Sequence, residues 1–556
     1  MTHELVIRGG AVVDGSGAPR RHADVAVDDG VITHVGVVEA SGRRELDADG
    51  ALVTPGFVDI HTHYDGQFCW DKLVTPSSWH GVTTVVAGNC GVGFAPVRPG
   101  TEDALVKLME SVEDIPGSAL HEGIPWGWET FAEYLDVIDT PYVMDVGTQV
   151  PHVAIRHYVM GDRCYDDATA DDIAEMARLT REALEAGALG FSTSRFFGHR
   201  DADGNLVPGT NAAADEMLGI GDAFAGLGHG TVEIITDHVD DPGERAWIAE
   251  LARRSGRPVT VLAATVTRDA LFSLAHDIER SGGSLRPQVG ARPASLLMTL
   301  EGTINPLRRF PSYRKIASLP VDEQRRRLRD PELRARILAD EPTAPRFAEA
   351  NRIVSDYSLM YVLPPDLSYE PSDDDSVAGI AARQGIDPRE ALMDALADGR
   401  PLLHLFGRYP GDLEGQREMI EAPETVFGLS DGGAHCGVLC DASVPTYMLA
   451  YFGRDRTRGP LMSVEQIVHK MTRDTALTYG MADRGLVAPG LRADLNVIDH
   501  DALRLHDPEM VWDLPAGGKR FIQRADGYRA TVCAGEVTHE HGEHTGALPG
   551  RLVRGG

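Results

Sequence analysis

Apolar and polar positions change their period twice along the chain. In the opening stretch they read as strands: Leu5 to Asp14 is an apolar run ending at Gly15, Ser16 and Gly17. Ala23 to Val27 alternates, Asp28, Asp29 and Gly30 interrupt, and Val31 to Val35 follows. Asp-Gly between such segments predicts a β-hairpin, and residues 1–53 read as part of a small β-domain. From residue 54 onward, short apolar runs alternate with stretches of helical period. Strands are expected over 58–60, 83–87, 144–150, 188–192, 232–235, 259–262 and 426–429, and helices over 171–186 and around 244–254. Repeated strand-then-helix units over residues 54–480 predict parallel strands and, at this size, a (β/α)8 TIM-type barrel.

The rhythm breaks at about 296–350, where Pro320 to Pro331 is a charged helical stretch with no strand beside it. It reads as an insertion near the mouth of the barrel or as a solvated surface helix. Strand texture returns at Ala493 to Asp499 and Ala530 to Ala534, so residues 481–556 are expected to complete, with 1–53, a β-sandwich domain formed by both chain ends. The His- and Glu-rich run Thr538 to His544 reads as a surface tail.

Composition narrows this picture. With 556 residues, 42% of them hydrophobic, the chain can fill one large barrel and a satellite domain. A formal charge of −31 opposes binding to nucleic acid or to an anionic membrane, which leaves small-molecule substrates as the expected partners and is compatible with a homo-oligomer. Six scattered cysteines do not make a disulfide framework, the start shows no secretory pattern, and no run of spanning length is apolar. A cytoplasmic location is the expectation from these features.

Three places along the chain carry chemistry. In a strand, residues i and i+2 face the same way, so His61 and His63 at the end of one barrel strand can converge on one cation. Cys90 ends the β-rich run from Thr83 and can offer a thiolate to zinc, although free cysteines are more often small core residues. Asp431, at the tip of the late strand before Gly432 and Gly433, can bind metal, take a proton from an activated water and return it to a leaving amine. An Asp before two glycines is otherwise an ordinary turn residue.

Together these segments resemble the N-acyl-D-amino-acid deacylase (D-aminoacylase) branch of the amidohydrolase superfamily. Leu52 to Gly66 is similar to its PGxxDxHxH first-strand motif, and GVTTVVAGNCGVGFAP over 81–96 to the stretch whose Cys is a metal ligand. Ala186 to Thr193, Ser430 to Gly432, Arg492 to Val497 and Thr545 to Arg551 extend the likeness over nearly the whole chain. The resemblance implies His61, His63, Cys90 and Asp431 as ligands, with Asp431 also the acid/base, and His152 as a pocket residue. It departs in one respect. The family carries two further ligand histidines on successive strands, whereas here the regions read Val232 to Val239 and Pro258 to Thr265, with His238 the only imidazole. His238 is the nearest substitute, and strand alternation can turn a residue displaced by one position away from the site. His435 and Cys436 are further candidates.

The donors counted in this way favour a single zinc ion per chain, or another divalent metal. The implied reaction is hydrolysis of amide C–N bonds, with N-acyl-D-amino acids favoured. A cyclic amide, imide or lactone hydrolase on the same scaffold, and a degenerate barrel with a structural or regulatory role, are the alternatives. Arg156, Arg195, Arg286 and Arg292 lie near expected strand ends and are candidates, with His152, for contacting a substrate carboxylate.

Overall fold

Asp29 and Gly30 turn the chain with φ of 50° and 73°, the two positive values that a tight hairpin requires, in a computed structural model describing residues 2–345, 348–406 and 411–556. Arg21–Asp28 and Val31–Gly36 therefore pair antiparallel, with Asp28 opposite Val31. They belong to a nine-stranded sheet that both ends of the chain build. Its seam is Leu52–Pro55 against Leu495–Ile498, with Val53 opposite Val497. Leu5, Ile7, Val25, Val53, Leu495 and Val532 form its buried face. The stretch expected to be a surface tail instead forms the edge of this sheet: Glu536–Glu540 pairs with Tyr528–Cys533, then with Glu543–His544. Val537, Thr538 and His539 are buried within it, while Glu536 and Glu543 stay outside.

The middle of the chain holds two parallel sheets. One is Phe57–Asp59, Val82–Ala87 and Asp145–Thr148. The other runs in the order Val150–Pro151, Gly190–Arg195, Thr231–Thr236, Pro258–Leu262, Ser284–Val289 and Val426–Phe427. A single residue, Gln149, separates the last strand of the first sheet from the first strand of the second, and its N–H bonds to Ala87 O at 2.9 Å. On the opposite side Thr62 bridges Gly432 in parallel, and Asp431 N–H donates to His61 O at 3.1 Å. These strands are almost continuously buried, as strands covered on both faces are. The helix Ala170–Ala186 shows how locally the pattern is encoded: Thr169 and Asp172 close its start as a reciprocal cap, and Gly187 ends it.

Residues 295–405 build a unit of their own. Ser295–Met298, Leu402–Leu405 and Met360–Val362 form an antiparallel sheet, packed with the helices Val321–Leu328, Pro331–Ala339 and Pro388–Ala397 around Leu307, Tyr313, Leu328 and Leu392. Residues 346 and 347 of the expected insertion lie outside the described residues. Among the described residues no helix is long and apolar enough to cross a membrane.

Candidate metal centre

Beyond Phe57–Asp59 the chain stays extended, so His61 and His63 point to the same side, their ring centroids 5.4 Å apart. His61 donates from Nδ1 to Gln288 Oε1 at 2.7 Å, which leaves Nε2 facing Cys90 Sγ at 3.5 Å and Asp431 Oδ1 at 3.3 Å. His63 Nε2 lies 3.7 Å from Asp431 Oδ1 and 3.6 Å from Glu113 Oε2. Both histidines are buried, and among the described residues neither ring nitrogen of His63 has a hydrogen-bond partner.

Cys90 is presented by a turn that the sequence specifies closely. Asn89 Nδ2 donates to the carbonyls of Thr62 and Val86, while Gln149 Nε2 donates to Asn89 Oδ1. Gly88, at φ 75°, lies where a Cβ would meet Gln149 O at 2.4 Å, so only glycine fits. Cys90 itself turns at φ 53°, and its N–H donates to Glu233 Oε2 at 2.9 Å. Asp431 is set by Ser430, whose hydroxyl donates to Asp59 Oδ2 and accepts from Gly432 N. Its side chain is 21% exposed, the most accessible of the four expected ligands.

Burial and charge act against each other here. Burial pushes His61 down to about 4. It acts downward on His63 too, but the carboxylates of Glu113 and Asp431 outweigh it and raise that imidazole to about 9. Burial favours a neutral Asp431, yet His63, His61 and His435 hold its carboxylate well below the usual range. Burial, reinforced by Glu233 and Glu113, keeps the Cys90 thiol far above its ordinary value, so ionising it there requires a cation beside the sulfur.

The donor set fits a divalent metal. One coordinating atom from each of His61, His63 and Cys90 lies within 4.8 Å of the others, and soft sulfur with imidazole nitrogen is the pairing zinc prefers. The ring nitrogens of His63, and Oε1 of Glu113 and of Glu233, are buried polar atoms without a hydrogen-bond partner among the described residues.

The remaining expected residues are placed elsewhere. His238 is not part of either donor group among the described residues; it is half-buried, with its ring edge-on to Phe197 at 4.8 Å. It lies beyond the end of Thr231–Thr236, where the strand no longer holds side chains toward the interior. His152 hydrogen-bonds Thr193 Oγ1 at 2.8 Å and Glu216 Oε1 at 2.9 Å. Arg156 pairs with the same Glu216, Arg195 with Glu244 at 2.7 Å, and Arg286 with Asp474 at 2.6 Å. Arg292 pairs with Asp441 at 2.7 Å and stacks on Tyr369 and Tyr447. Each of these guanidinium groups is paired with an internal carboxylate.

Two residues not singled out in the sequence complete the cluster. Glu113 ends the helix Glu102–Glu113 and is 1% exposed. Its signal was its place on the apolar stripe of Leu105, Met109 and Val112, where an acid is anomalous. His199 lies in the loop after Gly190–Arg195, with Nδ1 bonded to Ser194 Oγ at 2.8 Å. Nothing in the local pattern marks it. His435, weighed as a substitute ligand, brings Nε2 to 3.5 Å from Glu113 Oε2.

A profile of the amidohydrolase family matches residues 44–539. The chain is 28% identical to a D-aminoacylase of Alcaligenes xylosoxydans xylosoxydans, over 99% of this chain and 97% of that one. It is 30% identical to an uncharacterised protein of Mycobacterium tuberculosis, over 90% of this chain and 85% of the other. Among solved structures it resembles N-acyl-D-glutamate deacylase from Bordetella bronchiseptica, complexed with zinc and a phosphonate inhibitor that mimics the reaction's tetrahedral intermediate. That likeness has a TM-score of 0.65 at 23% identity and covers all of both chains.

Proposed function

The chain belongs to the amidohydrolase family, as a divergent member of its D-aminoacylase branch, and on that premise we propose that it hydrolyses the amide bond of N-acyl amino acids, D-configured ones favoured. The observation that carries this reading is the convergence of His61, His63, Cys90 and Asp431 in one largely buried cluster. The parallel pairing of the two central sheets, with Thr62 meeting Gly432, supports a (β/α)8 barrel over about 54–480. In it Asp145–Thr148 and Val150–Pro151 make one stave, and 1–53 with 481–556 make the β-domain. The cluster then lies at the C-terminal ends of the strands, where barrel enzymes carry their chemistry.

His61, His63, Cys90 and Asp431 would hold a zinc ion or a similar divalent metal. When bound, such an ion supplies Lewis acidity, polarising the acyl carbonyl and bringing the pKa of a water toward neutrality. Gln288 fixes the tautomer of His61 so that Nε2 faces the ion. Asp431, ionised and the most accessible of the four, accepts the proton of the attacking water as its oxygen bonds to the carbonyl carbon. When the C–N bond breaks, the same carboxyl returns that proton to the departing amine nitrogen. The other buried groups keep bulk water from the cluster.

The test is a screen of the purified, metal-replete protein against N-acyl-D- and N-acyl-L-amino acids, followed by release of free amine. Release from the D-series that disappears on chelation is expected. Turnover confined to cyclic amides, imides or lactones would replace this reading with the alternative hydrolase. No turnover and no bound metal would identify a scaffold.

A further inference from the structure

A line of ring contacts leads outward from the cluster. One ring nitrogen of His199 lies within 4.8 Å of Cys90 Sγ, and the half-buried ring of Phe196 stands edge-on to His199, centroids 5.1 Å apart. Gly198 permits this, since a Cβ at that position would overlap the Phe196 ring. The next residue, Phe197, is 42% exposed and stands edge-on to His238 at 4.8 Å. Its N–H donates to Asp237 Oδ2 at 2.8 Å, which ties the loop after Gly190–Arg195 to the loop after Thr231–Thr236. Those strands are parallel neighbours, with Arg195 opposite Thr236. The line therefore starts at the buried thiol and ends in the open, beyond the C-terminal ends of two adjacent strands.

We infer that Phe196, Phe197 and His238 seat an apolar acyl group, so that the preferred substrates are N-acyl amino acids whose acyl chain is longer than acetyl; the inference rests on the deacylase reading above. His238, which stands apart from the metal donors, becomes one wall of that seat.

A solitary exposed phenyl ring carries little weight, because much of any protein surface is apolar. Phe197 differs in being held in place and in line with the cluster. Its backbone is fixed by Asp237, and its ring partner His238 is fixed by an N–H bond to Thr236 Oγ1 at 3.0 Å. Charge then decides which end of a substrate lies here. Residues 196–206 and 237–241 carry Asp201, Asp203, Asp237, Asp240 and Asp241 against one arginine, Arg200, whose Nη1 is turned to Gly204 O at 2.9 Å. Such a surface repels the carboxylate of an N-acyl amino acid. The uncharged acyl chain is the end that can cover these rings while its carbonyl stays beside Asp431. Covering them removes apolar surface from water, and each added methylene strengthens the contact.

Turnover and binding test this together on the metal-replete protein. The ratio kcat/KM is measured for N-acetyl-D-alanine, N-octanoyl-D-alanine and N-acetyl-D-norleucine, the last carrying its chain on the amino-acid side. The octanoyl substrate is expected to exceed the acetyl one by at least about 10-fold. Phe197→Ser should abolish that preference while the norleucine-to-alanine preference stays as in wild type. Titration calorimetry with octanoate and acetate reads the same seat without turnover. Octanoate should bind wild type at least about 10-fold more tightly than acetate, and Phe197→Ser should lose that margin. Equal use of both acyl groups, with equal binding of both acids, overturns the inference. So does an octanoyl preference that survives Phe197→Ser, or an effect of that variant confined to norleucine. No turnover of any substrate, with octanoate still favoured through Phe197, overturns the deacylase reading and leaves the apolar seat standing. Loss of both overturns the two together.

Discussion

His61 and Gln288 are joined across the two central sheets: Nδ1 of His61, beyond Phe57–Asp59, donates to Oε1 of Gln288, on Ser284–Val289, at 2.7 Å, with both side chains fully buried. The contact selects one tautomer and aims Nε2 at Cys90 and Asp431. Gln288→Leu removes the acceptor while keeping the volume. Metal affinity is expected to fall about 10–100-fold, read by competition with a chelating dye. Affinity unchanged in that variant would mean that packing alone orients His61.

Cys90→Ser should lower bound metal and activity together. Burial opposes ionisation of the sulfur, so only a cation draws out the thiolate, and a serine hydroxyl does not ionise readily even then. A loss of more than about 10-fold in affinity is expected. A variant with full metal content and normal turnover would return Cys90 to the role of a small core residue.

Much of this was legible in the chain because local rules and global fold agree. The Asp29–Gly30 hairpin, the Thr169 cap and the run leading from Thr83 to Cys90 each state their structure in a few residues. His61, His63, Cys90 and Asp431 were legible because strand tips announce themselves by an apolar run that ends in polar residues. Glu113 and His199 were not, because a helix end and a loop reach the site only through tertiary packing. The arginines' internal partners were hidden for a related reason: a sequence shows a guanidinium near a strand end but not the carboxylate that the fold sets against it. Arg156 meets Glu216, and Arg195 meets Glu244, across long separations in sequence.

Glu216 accepts from Arg156 Nη1 at 2.6 Å and contacts His152 Nε2 at 2.9 Å, with all three residues buried. Removing one partner of a buried pair strands the other, so Glu216→Ala is expected to cost about 3–5 kcal/mol in urea unfolding while metal stoichiometry stays at the wild-type value. Loss of metal in a variant that remains folded would tie the His152 network to the site itself.

His80 lies apart from the cluster, buried between Thr446 Oγ1 at 2.8 Å and the carbonyl of Gln523 at 2.9 Å. Burial pushes its pKa from 6.5 down to about 3. The unfolded chain therefore binds a proton that the folded chain refuses. The stability this neutral imidazole contributes is whole above pH 6.5 and is lost as pH falls toward about 3, at up to about 1.4 kcal/mol per pH unit. His80→Gln cannot take up that proton, so its unfolding free energy should fall less than wild type's between about pH 7 and pH 5. Parallel pH slopes for the two proteins would show that His80 accepts the proton while folded.

Asp431→Asn separates proton transfer from metal binding. The amide keeps an oxygen facing His61 and His63, and so a weaker ligand, but it cannot accept a proton from water or return one to an amine. The wild-type carboxylate is suited to that cycle because His63, His61 and His435 keep it ionised against its burial, and because it is the accessible member of the four. The turnover number is therefore expected to fall about 10²–10⁴-fold, the usual worth of a positioned acid/base, while bound metal falls much less. Cys90→Ser should show the opposite relation, with metal and turnover declining in step. Measuring both quantities on both variants tests the assignment of roles directly. If Asp431→Asn loses its metal as completely as Cys90→Ser, Asp431 acts chiefly as a ligand. The proton must then be carried by another group, and His435, which sits beside Glu113 with a partly exposed ring, is the residue to replace next.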